Sequence, residues 1–171
     1  MLGSALSGLR TLIVMAVLCL LLLIALIWGW RQMTKPFPAK ADAAVCVATK
    51  ISEGDKVYPA QVVVTVLNAS KREGLARRTV GALTDAGFVE GASGNAPKKA
   101  DARRVQVWTT DPQSPAVKLV ASWLHRPTIV KRASTHPGVV VVVGEHFPQV
   151  SGGKKAVTAS ADATICSPPV D

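Results

Sequence analysis

Val62-Val63-Val64-Thr65-Val66-Leu67-Asn68-Ala69-Ser70-Lys71-Arg72-Glu73-Gly74-Leu75 is the stretch on which the fold turns. Its first six residues are β-branched or aliphatic without interruption, which reads as a strand. Asn68-Ala69 turns the chain. Ser70-Lys71-Arg72-Glu73 has the spacing of a capping box, with Ser70 and Glu73 satisfying each other's amides. A helix then runs to about Ala86, with Leu75, Thr79, Leu83 and Ala86 on one face. Gly87 stops it in a left-handed cap, and Phe88 supplies the apolar contact that follows.

The plan continues downstream. Phe88 to Ala92 reads as a short strand and Gly94 to Ala102 as a loop. Arg104 to Trp108 alternates like a half-buried strand. Asp111-Pro112 or Ser114-Pro115 opens a second helix, with Pro at its first position and Val117, Val120, Ala121 and Leu124 on its inner stripe. Pro127 ends it. Thr128 to Val130 reads as a short edge strand, and the five valines Val139 to Val143 as the last strong one. The expected fold is α/β (α+β): a small β-α-β-β-α-β domain of the split βαβ kind, one sheet with two helices on one face. The open sheet face is left for the tail or a partner to cover.

Upstream, Leu12 to Trp30 carries no charge. As a helix it spans about 28 Å, close to the ~30 Å hydrocarbon core of a bilayer. Trp28 and Trp30 suit an interface, and Arg10 and Arg31 bracket the block. A cleaved signal peptide is the competing reading, with Ala39-Lys40-Ala41 as its small-x-small site. The apolar run exceeds the ~7–15 residues of a signal core, which favours an uncleaved anchor. A lipoprotein reading of Cys19 fails, because bulky Leu18 precedes it and the apolar run continues past it. The flanking charges do not orient the helix: Arg31, Lys35 and Lys40 follow it, but long domains translocate despite such a bias.

The cysteines bear on orientation. Cys19 lies inside the apolar block and reads as a small apolar residue. Cys46 and Cys166 stand alone on either side of the regular region. They read either as one disulfide closing the whole domain or as two unrelated thiols. The first is favoured, and it places the domain outside the cytoplasm.

The expected organisation is a short cytoplasmic N-terminus (1–11), a transmembrane helix (12–30), an extracytoplasmic stalk (31–56), the domain (57–148) and an irregular tail tied back by the disulfide (149–171). Pro36 and Pro38 argue for the stalk, and a Ser-, Gly-, Ala- and Pro-rich composition for the tail.

The chain has a net charge of +9, and removing Arg10, Arg31 and Lys35 leaves 17 Lys/Arg against 11 Asp/Glu, or +6. That excess suits lipid head groups, wall polymers or nucleic acid. Nucleic acid is disfavoured, because aromatic residues are not interleaved with the basic ones. Lys71, Arg72, Arg77 and Arg78 cluster at the start of the first helix, either as a solvated face or as a surface for anionic polymers. Glu73 and Arg77 stand at i, i+4 and can pair. Asn68 either shapes its turn or faces a ligand at the strand–helix junction, with Asn95 as a second candidate. His125, His136 and His146 are scattered. No metal-ligand spacing, phosphate loop, cofactor motif or catalytic constellation is legible.

Val64-Thr65-Val66-Leu67-Asn68-Ala69-Ser70, then Gly74-Leu75-Ala76, Gly87-Phe88-Val89 and Gly94-Asn95-Ala96, closed by Val140 to Gly144 and Phe147, resembles the LytR C-terminal domain family over about Gln61 to Pro148. With its apolar helix and cysteine pair, the whole chain resembles the single-pass envelope proteins of high-G+C Gram-positive bacteria. The resemblance implies a place in the cell envelope, at the plasma membrane, with wall polymers or envelope proteins as partners. In that family the domain often follows a glycopolymer transferase domain. The segment between Trp30 and Gln61 is too short to hold one, so no transferase activity carries over. The expectation is a non-enzymatic accessory protein supporting envelope integrity. The alternative is a wall-polymer processing enzyme with an unrecognised site.

Overall fold

The computed structural model describes residues 2–33 and 46–169, and within the first segment the side chains of residues 13–30. The chain divides into two units, Met1–Asp42 and Ala43–Asp171.

The described residues of the first unit form one helix, α1 (Leu2–Met33). Its apolar stretch Ile13–Trp30 is long enough to cross a bilayer, and none of it is buried. A helix that is apolar all round needs a nonpolar environment such as lipid. Residues 34–45, which hold part of the expected stalk and the Ala39-Lys40-Ala41 motif, lie outside the described residues.

In the second unit, β1 (Val47–Ile51) and β2 (Lys56–Val57) lead into β3 (Val63–Asn68), α2 (Leu75–Asp85), β4 (Val89–Asn95) and β5 (Val105–Thr109). Then come α3 (Pro115–Ser122), β6 (Thr128–Lys131), β7 (Val139–Val143), β8 (Val157–Thr158) and β9 (Ala163–Ser167). Five strands form one mixed sheet in the order β4-β3-β7-β5-β6. β3 is parallel to β4 and β7, β5 is parallel to β6, and β5 and β7 are antiparallel.

The mixed α/β class and the two helices on one face agree with the sequence. Val80 and Leu83 of α2 and Leu119 and Val120 of α3 share one core with Val64, Val66 and Val141 of the sheet. The strand arrangement differs from a split βαβ fold. Each helix joins two strands that are direct neighbours, and β7 fills the gap between the two units. Its five valines are all buried, as a central strand covered on both faces requires. The opposite face carries Leu67, Trp108, Val140 and Val142, and Ala96, Ala100 and Ala102 of the β4–β5 connection pack on it. The tail does not cover this face: Ala159 and Ile165 join the helix-side core.

Three local expectations are corrected. The capping box does not form. The Ser70 hydroxyl instead donates to Asn68 Oδ1 and accepts from the Arg72 amide, and the helix starts at Leu75 behind Gly74 at φ 68°. The end of the expected stalk and two short segments of the tail are paired: β1 with β9 and β2 with β8, both antiparallel. Ile51 and Ile165 explain the first ribbon, because both are buried. The inner stripe of α3 is also wider than expected. Leu119 is fully buried while Ala121 is only half-buried, because the β8 and β9 segments pack against this helix.

The far end of α2 follows the sequence closely. Gly87 has φ 96°, its amide donates to Thr84 O, and the Phe88 amide donates to Leu83 O. This is the paired closure of a Schellman motif. Cys46 and Cys166 form a disulfide with Cα atoms 5.3 Å apart.

Candidate functional site

β3, β4 and β7 all end at one edge of the sheet, where β5 and β6 begin. Asn68 is in register with Asn95 and with Val143, Val105 with Val143, and Gln106 with Thr128. Four loops therefore converge at that edge. In open α/β sheets, the crevice at the carboxyl ends of parallel strands is a favoured place for ligands.

Asn68 is committed to the turn. It is 9% exposed. Its Oδ1 accepts from the Ser70 amide and hydroxyl at 2.9 and 2.7 Å, and its Nδ2 donates to Arg72 O at 2.8 Å. Such side-chain bonds offer the backbone an alternative to a helical cap, which is why α2 starts late. Asn95 lies beside it, exposed.

Lys71 and Arg72 belong to the loop before α2 rather than to the helix. The Lys71 amide donates to Glu145 Oε2 at 3.1 Å. Arg72 Nη1 donates to Phe147 O at 2.8 Å and to Glu145 O at 3.4 Å. Arg77 and Arg78 are exposed on α2. Arg78 Nη2 donates to Glu73 O at 3.1 Å. Glu73 precedes the helix, so the expected i, i+4 pairing with Arg77 does not arise.

Residues 144–147 form a strap that holds this edge together. The Gly144 amide donates to Arg104 O at 2.6 Å and the His146 amide to Arg103 O at 2.9 Å. A Cβ on Gly144 would collide with the Ala102 carbonyl, so close backbone approach requires glycine there. Phe147, 1% exposed, anchors the strap in the core.

A cleft opens on each side of the strap, and Pro148 lines both. The smaller, about 150 Å³, is lined by Arg72, Arg78 and Phe147 among others. The larger, about 870 Å³, gathers Arg103, Arg104, His125, Arg126 and His146, with Asp101 as its acidic residue. Of the residues lining the two clefts, five are arginine and one is acidic. The sequence reading missed the larger cleft because its residues come from three separate segments. The one local signal was the pair Arg103-Arg104.

Among the described residues, no group of three His, Cys, Asp or Glu is placed to hold a metal. His125 and His146 line the larger cleft, and neither side chain is hydrogen-bonded to a hydroxyl or thiol among those residues. The arrangement offers guanidinium and imidazole donors, which is the chemistry of anion binding.

The chain is similar to known proteins over this domain. The model of the family described as LytR cell envelope-related transcriptional attenuator matches residues 61–147. The soluble domain of a conserved hypothetical secreted protein from Mycobacterium marinum is similar at 28% identity, covering 59% of this chain and 78% of that one, with a TM-score of 0.45. No curated protein matches the chain. The family match takes in just over half of the 171 residues, with all five strands of the sheet and both of its helices, and the chain belongs to the LytR C-terminal domain family.

Proposed function

We propose that this chain is a membrane-anchored, extracytoplasmic envelope protein whose domain binds anionic wall polymers. Residues 1–11 remain in the cytoplasm, 12–30 span the plasma membrane, and the segment from 31 carries the domain outward. The family supports an envelope-related place. The Cys46–Cys166 disulfide supports an oxidising compartment. The apolar helix α1 supports the anchor.

The observation that carries the binding role is the imbalance of charge at the loop edge of the sheet. Five arginines line its two clefts against one carboxylate. Cations lining a concavity raise the local concentration of anions. Retention of anionic wall fractions at low salt tests this. The full chain in neutral detergent should retain them, and reversing Arg77 and Arg78 to glutamate should reduce retention. No retention by the wild-type chain would reject the reading.

A further inference from the structure

The geometry points to the larger cleft as a phosphate-binding site, with Arg103, Arg104 and Arg126 holding the phosphates of an envelope polymer. This rests on the function proposed above and adds the ligand chemistry and the residues.

Three observations lead there. The first is size: about 870 Å³ exceeds what a single ion fills, and is the scale of a pocket for an extended ligand. The second is the donor set. A carboxylate presents its oxygens in one plane to a single guanidinium fork, whereas the tetrahedrally arranged oxygens of a phosphate can be shared among several. Three guanidinium groups and two imidazoles around one cleft therefore suit phosphate better. None of these side chains has a carboxylate or hydrogen-bond partner among the described residues.

The third is Arg126 itself. It is the one non-glycine residue among the described residues with positive φ, at 50°. It also precedes Pro127, which biases its neighbour toward extended backbone. Glycine would adopt this conformation at lower cost. An arginine held against its backbone preference, at the mouth of a basic cleft, points to a role for the side chain.

A polymer is favoured over a lipid surface. The large apolar side chains exposed in this unit are Val47, Tyr58 and Ile129, and none lines the cleft. Nothing there would insert between head groups. The site is concave, as wrapping a chain requires.

Competition for labelled inorganic tripolyphosphate on the full chain in neutral detergent micelles tests the assignment. The wild-type chain should bind the probe. Arg126→Gly should weaken binding about tenfold, the loss of one charge-assisted contact, while melting no lower than wild type because glycine accepts the left-handed backbone. Arg103→Ala should weaken it similarly. Phosphate-bearing wall polymer should compete. The same polymer stripped of phosphate, polyglutamate, and micelles doped with phosphatidylglycerol should not. Probe binding within twofold of wild type in both variants overturns the site. Equal competition by polyglutamate overturns the phosphate chemistry, and competition by the lipid overturns the polymer. Wall-polymer binding that persists in both variants overturns this cleft and leaves the proposed function standing. No wall-polymer binding by the wild-type chain overturns that function together with the polymer as ligand.

Discussion

Removing the Cys46–Cys166 disulfide should destabilise the domain more than any single surface change. The bond joins residues 120 apart in sequence. In the chain-entropy account, opening a loop of that length returns about 16 cal/mol/K to the unfolded chain, or about 5 kcal/mol at 25 °C. The native state itself changes little. β1 and β9 keep their five register pairs, and Ile51 and Ile165 keep their burial. A unit of this size has an unfolding entropy of about 270 cal/mol/K at about 2.1 per residue, so the melting temperature should fall by about 15–20 °C. The assay is thermal unfolding of the compact unit Ala43–Asp171 in three forms: oxidised, reduced, and Cys46→Ala/Cys166→Ala. The reduced and doubly substituted forms should melt together, well below the oxidised one. A double variant melting within about 5 °C of the oxidised protein would refute the loop-closure argument.

Other predictions concern the strap and the turn. Phe147→Ala should cost about 3–5 kcal/mol in urea unfolding, because a buried ring leaves a cavity. Gly144→Ala should cost about 1–3 kcal/mol through collision with the Ala102 backbone. Gly152→Ala, where a Cβ meets open space, should leave the urea midpoint unchanged. Asn68→Ala should lower stability by about 1–3 kcal/mol by leaving the Ser70 and Arg72 backbone groups unpaired. If Asn68 serves only its turn, polymer binding by the variant that remains folded should stay at the wild-type level.

What the sequence disclosed was whatever neighbouring residues determine together. β3 and β7 were legible because uninterrupted β-branched runs suit strands buried on both faces. The end of α2 was legible because Leu83 to Phe88 hold every group the cap needs. Its start was not. Ser70-Lys71-Arg72-Glu73 satisfies the capping-box pattern, but Asn68, two residues earlier, competes for the Ser70 hydroxyl and prevails. The β1–β9 ribbon escaped notice because each strand is five residues long and its partner is over a hundred residues away. Cys46 just before β1 and Cys166 within β9 were the long-range signal, and they named the right partners. Of the candidate surface, Asn68, Asn95, Lys71 and Arg72 do come to one edge of the sheet, although Asn68 is buried in its turn. The larger cleft was invisible, because Arg103, Arg126 and His146 meet only through the pairing of β5 with β6 and β7.

In the proposed function, the domain faces outward and holds a phosphate-bearing envelope polymer at the basic edge of its sheet. The most direct measurement replaces His125, which lines the larger cleft, with a photo-crosslinking residue in the full chain and irradiates intact cells. Irradiation should give an adduct that contains phosphate and is released by wall-degrading enzymes. Adducts confined to cytoplasmic proteins or nucleic acid would contradict that function.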